Sequence, residues 1–271
     1  MPDLRFRDLV KIFLRSRSLG LTRDMARQVR SKSLRRIRWN GHKVFYRPGT
    51  TDPFVLHQVL LKTGRKAEYY LPPNLQPDVI LDIGSNIGAS ILYFHRRFPK
   101  ARIIGFEPHP ETFRILETNV SHISSVSVFN YGLGHSNMWV TVPSESVNFG
   151  AFSTKGRPRN RSNDQIDCQV RRIDDVLRDL DIQKVDLIKI DCEGAEADVF
   201  SAMPPEIFTQ CQWVVGELHD DTGFELLARL APQFRLDLKK KMFSPLFRFH
   251  ACNVADAARL KGKFDTDALQ R

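Results

Sequence analysis

The stretch that most constrains this chain runs from Val79 to Tyr93, VILDIGSNIGASILY. The apolar run Val79, Ile80, Leu81 reads as a buried parallel strand, and Ala89, Ile91, Leu92 and Phe94 then switch to helical spacing. Between them Gly84 and Gly88 let the backbone turn tightly and come close to a ligand, while the N–H groups of the helix start face the same crevice. A strand meeting a helix through a glycine loop predicts an open sheet with a nucleotide-type site, in which Gly84, Ser85, Asn86 and Gly88 approach the ligand.

Asp82 narrows the ligand. A carboxylate at this strand end would repel a dinucleotide's pyrophosphate by several kcal/mol, taking roughly 332/(εr) with ε near 20. It would attract positive charge. S-adenosylmethionine carries an ammonium and a sulfonium, no phosphate, and a carboxylate that a helix N-terminus can take. The next apolar strand, Ala101 to Phe106, ends in Glu107-Pro108, 25 residues beyond Asp82. That offset is close to the roughly 20 residues at which an acidic side chain meets ribose hydroxyls in a doubly wound sheet, so Glu107 is the predicted ribose ligand. A third strand, Val126 to Tyr131, places Asn130, Gly132 or both where an adenine edge would be read.

A second motif is Val185-Asp-Leu-Ile-Lys-Ile-Asp-Cys-Glu-Gly-Ala-Glu196, an apolar strand ending in three carboxylates around a glycine. Sites in parallel sheets lie beyond the carboxyl ends of strands, so Asp191 and Glu193 are expected to face the reacting groups. Strand alternation sets Lys189 on the face of Asp191, where it can serve as a buried partner. The strand Gln212 to Leu218 ends in Glu217-Leu218-His219. A lone histidine is usually structural, but this one stands beside carboxylates, and both roles stay open.

With 271 residues and 42% hydrophobic content, the chain can bury a sizeable core. The economical division is a basic helical extension over 1–38, a hairpin-plus-helix cap over 39–77, and a ligand-binding domain over 78–271. Asn40-Gly41 predicts the hairpin turn and Phe54 to Leu61 the helix, together a lid over the mouth of the sheet. Beyond the second motif, Phe224 to Leu230 reads as a helix, and Phe234 to Leu238 with Leu246 to Asn253 as a closing antiparallel pair. Pro143 to Asp167, with Lys155, Arg157, Arg159 and Arg161, is either a solvated loop or a substrate-gripping one.

No run approaches the roughly 18 apolar residues of a membrane span, and the N-terminus has no secretory signal, so a cytoplasmic protein is expected. Cys168, Cys192, Cys211 and Cys252 are too widely spaced for a metal finger and suit reduced thiols. Of the net charge of +10, residues 1–47 alone carry +11, fourteen Lys/Arg against three Asp. Residues 4–15 set Phe6 with Val10, Leu9 with Phe13 and Val10 with Leu14 at i,i+4 among arginines and a lysine. Such a basic amphipathic helix either packs on its own domain or makes contact with an acidic substrate or, peripherally, with the inner face of a membrane. Few aromatics interleave with these charges, which disfavours nucleic acid as the partner.

These motifs resemble the FkbM-type S-adenosylmethionine-dependent methyltransferases. The resemblance rests on Arg47-Pro48-Gly49-Thr50 with Asp52, Asp82 to Gly88, Phe106-Glu107-Pro108, Lys189 to Glu196 and Val214 to His219, and covers roughly residues 40 to 255. Asn86 stands where the general methyltransferase pattern has glycine. The resemblance implies a class I, Rossmann-like, doubly wound sheet of seven strands. It also implies methylation of a hydroxyl on a sugar, glycan, lipid-linked or other small-molecule acceptor, with S-adenosylmethionine as cofactor. Asp191, with Glu193 or His219, is then the candidate base. A divalent cation on Asp191, Glu193 and Glu217 is the alternative, and no metal is predicted. A nucleic-acid methyltransferase using the basic arm, or a non-catalytic nucleotide-binding module, are the competing classes; the acceptor and the oligomeric state are not legible.

Overall fold

The structure is a computed structural model that describes residues 6–26, 33–62, 67–143, 165–219, 223–240 and 246–260. The Lys155 to Arg161 cluster lies outside the described residues.

Two helices, α1 (Phe6–Ser16) and α2 (Leu19–Ala26), meet at a corner where Arg17 takes a positive φ of 50°. The ribbon follows as β1 (Arg35–Trp39) and β2 (His42–Tyr46), antiparallel across Asn40-Gly41, whose φ values of 47° and 87° are those a two-residue hairpin turn demands. Helix α3 (Asp52–Leu56) runs on without a break as a π-helical turn over His57–Leu61.

The central sheet has seven strands. In chain order they are β3 (Val79–Ile83), β4 (Arg102–Phe106), β5 (Val126–Phe129), β9 (Leu187–Ile190), β10 (Trp213–Leu218), β11 (Phe234–Lys240) and β12 (Phe247–Asn253). Their spatial order is β11-β12-β10-β9-β3-β4-β5, parallel from β10 to β5, with β12 antiparallel to both neighbours. Strand order reverses between β3 and β9, and such switch points are where crevices open in doubly wound sheets. Helices α4 (Ala89–Arg97), α5 (Pro110–Val120), α6 (Ile173–Asp179), α7 (Glu196–Ser201), α8 (Pro205–Gln210) and α9 (Gly223–Leu230) complete the domain.

The third predicted strand ends at Phe129 rather than Tyr131. Gly132–Gly134 forms β6 in a separate three-stranded sheet of order β6-β8-β7, with β7 at Met138–Pro143 and β8 at Gln165–Arg172. One apolar cluster joins the N-terminal elements to the domain: Ile12, Leu21, Ile37 and Val44 share it with Ile80, Leu92 and Phe94. No described helix is long and apolar enough to cross a membrane.

Candidate active site

The register of the sheet builds the site's floor. Asp82 on β3 lies directly across from Lys189 on β9, and Ile83 across from Ile190. Lys189 Nζ stands 3.1 Å from Asp82 Oδ1 and donates to the carbonyls of Ile83 at 3.2 Å and Gly84 at 2.5 Å. Asp82 also accepts from the Ser90 hydroxyl and is wholly buried. Burial works against the Lys189 charge, but Asp82 and Asp191 outweigh it and raise its pKa. Asp82 therefore sits one layer behind the crevice with its charge already met, and does not face a ligand directly.

The glycine loop is closed on its own sheet. Gly84 N and Ser85 N both donate to Phe106 O, Gly88 N to Ser85 O, and Asn86 N to Glu107 Oε2 at 3.0 Å. Gly84, at φ 79°, passes so near β9 that a Cβ would lie 2.0 Å from the Asp191 carbonyl oxygen, so no other residue fits. These four amides are therefore spent within the protein. Gly88 caps α4 at φ 87° and packs against α5, away from the crevice. Asn86 tolerates φ 49°, and its buried side-chain oxygen has no hydrogen-bond partner among the described residues.

Above the switch point opens a cavity of about 350 Å³, within the roughly 300–1,000 Å³ usual for small-molecule sites. Gly84, Ser85, Asn86, Glu107, Asp191, Glu193 and His219 all line it. Asp82, Gly88 and Asn130 do not. Asn130 instead clamps the end of β4, its Nδ2 donating to the carbonyls of Glu107 at 2.9 Å and Pro108 at 3.1 Å, while Gly132 reaches the wall.

Glu107 accepts from His109 N at 2.9 Å as well as from Asn86 N. Burial pushes its carboxyl up to about 7 against the pull of those two N–H groups. His219 is pinned between acids: Nδ1 lies 2.9 Å from Glu196 Oε1, and Nε2 lies 3.3 Å from Glu193 and 3.6 Å from Asp191. Burial opposes its charge, but the Glu196 hydrogen bond and the Asp191 and Glu193 charges win, lifting it to about 9. The raised value favours the imidazolium, which donates to these carboxylates. Cys192 is the reverse case, its thiol kept neutral by burial and by Glu196 and Asp191.

Three participants carry weak sequence signals. Tyr69, arriving from the cap, donates to Asp191 Oδ2 at 3.1 Å across 122 residues of chain. Glu196 accepts from Cys192 N and Gly194 N, both at 3.0 Å, and so shapes the acidic loop as well as holding His219. Glu68, ion-paired to Arg248, joins the wall beside Glu217. Among these, only the acid-rich run around Glu196 could have flagged its residue.

Ligand atoms of Asp191, Glu217 and His219 lie within 4.8 Å of one another, near enough to hold a metal ion. The Arg47 motif is a buckle. Asp52, buried, accepts from Arg47 N at 2.8 Å, Nε at 2.9 Å and Nη2 at 3.0 Å, while Arg47 Nη1 donates to Thr112 on α5 at 3.1 Å. It ties the cap to the domain and does not touch the cavity.

A doubly wound sheet with an acid-lined crevice at its switch point, glycine-looped on one strand and carboxylate-tipped on the next, is the architecture of a class I methyltransferase. The chain belongs to the methyltransferase FkbM domain family, which matches residues 82–244, and it is a methyltransferase, of a class that draws its methyl group from S-adenosylmethionine. Methyltransferase 1 of Beauveria bassiana (strain ARSEF 2860) is 29% identical over 57% of this chain and 70% of its own length. The 2-O-methyltransferase NoeI of Sinorhizobium fredii (strain NBRC 101917 / NGR234) is 27% identical, covering 59% and 74%. The AMB antimetabolite synthetase AmbE of Pseudomonas aeruginosa is 31% identical over 55% of this chain, which spans only 9% of that much longer protein.

Proposed function

We propose that this chain methylates a hydroxyl oxygen of a sugar, glycan, lipid-linked or other small-molecule acceptor. The observation that carries the reading is the charge of the cavity. In a chain of net charge +10, the described wall holds Glu107, Asp191, Glu193 and Glu217 with the Arg248-paired Glu68, against Lys189 and His219. Such a wall favours a sulfonium and an ammonium and repels phosphates. The spent amides of the glycine loop support the same choice. An O-methyl acceptor is supported by the name of the relative NoeI.

When bound, S-adenosylmethionine supplies an already activated methyl group, so the protein's work is alignment and proton removal. Glu107 accepts from the ribose hydroxyls at the end of β4, with its orientation fixed by the two backbone N–H groups. The unpartnered Asn86 oxygen is free to accept from a ligand donor. Asp191 takes the acceptor's proton, steered by Tyr69 and the His219 imidazolium, with Glu193 beside it; a general base adds about 10²–10⁴-fold. His219 holds the acidic loop rather than acting as the base.

The test is calorimetric titration of S-adenosylhomocysteine, with NAD as control, into the wild type and Glu107→Gln, followed by transfer of labelled methyl to hydroxyl acceptors. Binding of S-adenosylhomocysteine but not of NAD, weakened in the variant, with label on acceptor oxygen and loss of turnover in Asp191→Asn, is the expected result. Binding of NAD instead, or full turnover in Asp191→Asn, would sink the assignment.

A further inference from the structure

A second large concavity lies outside the catalytic cavity. A groove of about 970 Å³ runs between the α1–α2 corner, the ribbon and the C-terminal end of α4. Its described wall contains no carboxylate. Arg15 and Arg17 enter from the corner and Arg36 and Arg38 from β1. Arg96 and Arg97 close it from α4, with Lys62 at one end.

These six arginines differ from those that meet an acid elsewhere in the fold. Arg35, Arg47, Arg171 and Arg248, among others, each face a carboxylate. None of the six in the groove has a carboxylate partner among the described residues. Arg15 donates to the Leu61 carbonyl, Arg97 to the Pro73 carbonyl, and Arg96 lies over the Trp39 ring at 5.6 Å. Gathering six unneutralised guanidinium groups costs mutual repulsion, which an anionic partner relieves.

The adjoining helices supply the other half of the surface. Helix α1 buries Ile12 against the core and leaves Val10, Phe13 and Leu14 exposed at i, i+3, i+4 spacing. Leu14 is 66% exposed and Leu19, which opens α2, 74%. Arg7, Lys11 and Arg15 form the neighbouring stripe of α1 and are exposed as well, so an apolar ridge runs beside a basic one that leads into the groove. Nucleic acid would meet the arginines but bury none of those leucines; a bilayer of anionic lipids meets both.

We propose that the α1–α2 corner and the arginine groove form one docking surface for an anionic lipid bilayer. Phe13, Leu14 and Leu19 enter the headgroup region, and the groove arginines take lipid phosphates. The π-helical wall links this surface to the catalytic cavity: Gln58 and Val59 line the cavity, while Leu60 and Leu61 line the groove. The proposal stands on the surface itself and does not depend on which acceptor is methylated.

The test is sedimentation of the full chain with vesicles of phosphatidylcholine alone or mixed with phosphatidylglycerol, with a short RNA duplex at matched phosphate as competitor. The expected result is binding to the mixed vesicles only, released by salt. Affinity should fall at least about tenfold in Arg36→Glu with Arg38→Glu, since each basic residue near such a surface is worth several-fold. A comparable loss is expected in Leu14→Ser with Leu19→Ser, whose exposed side chains make misfolding a poor explanation, and melting temperature checks that directly. Failure to bind the mixed vesicles overturns the proposal. So does unchanged binding in the leucine variant. Efficient competition by RNA would assign the groove to nucleic acid instead.

Discussion

Glu193 sits at φ 56°, a left-handed conformation that costs a non-glycine residue about 1 kcal/mol or more. The position is kept by a carboxylate aimed into the cavity and lying 3.3 Å from His219. Glu193→Gly should therefore hold or raise the urea midpoint while lowering methyl transfer about tenfold or more. Unchanged turnover in that variant would leave Glu193 a bystander. Glu107 gives a pH signature. Its folded-state value of about 7 lies above that of an ordinary carboxylate, so its contribution to stability is full below about 4.5 and is lost as pH rises through about 7. Ribose hydroxyls need the ionised form as acceptor. Affinity for S-adenosylhomocysteine should tighten about tenfold between pH values of about 6 and about 8, and the dependence should flatten in Glu107→Gln. Calorimetry at the two pH values checks this.

At the scale of elements, the Arg47–Asp52 buckle explains a motif whose residues do not line the cavity. Asp52 is 1% exposed and takes three hydrogen bonds from one arginine. Removing its carboxylate takes the charged partner from a largely buried guanidinium, so Asp52→Ala should cost about 3 kcal/mol in urea unfolding. The apolar runs ending in glycine or carboxylate made β3, β4, β9 and β10 legible, because strands buried on both faces must be apolar throughout. The same logic brought Glu107, Asp191 and Glu193 to one crevice. Side-chain direction was harder to read. Asp82 stands at the right strand end, yet the cross-strand register gives it to Lys189, and register is set by partners distant in sequence. Asn130 was expected at an adenine edge but clamps β4, because the strand breaks there and the chain departs to a second sheet. Tyr69 carries no sequence signal of its role, since no local pattern marks a contact 122 residues away.

For the whole molecule, the question is whether the basic extension is an appendage or part of the enzyme's body. Charge alone suggested an appendage, since the excess positive charge lies within residues 1–47. Packing argues otherwise. Ile12 and Leu21 are completely buried, in the same cluster as Leu92 and Phe94 of the helix that starts at the glycine loop. Asp24 on α2, also buried, accepts from Arg35 and from the Tyr46 hydroxyl and so locks the ribbon. Two fully buried aliphatic side chains are worth about 2–3 kcal/mol each. Deleting residues 1–26 should cost about 5 kcal/mol in all, a large share of the roughly 5–15 kcal/mol that holds a protein folded. The damage should also reach the cavity, because the cap against which α1 and α2 pack contributes Gln58, Val59 and Tyr69 to its wall. Urea unfolding and S-adenosylhomocysteine titration of residues 27–271 check both effects. Loss of stability with weakened donor binding would make the extension part of the catalytic body. A midpoint and an affinity equal to the full chain's would return it to the status of an arm.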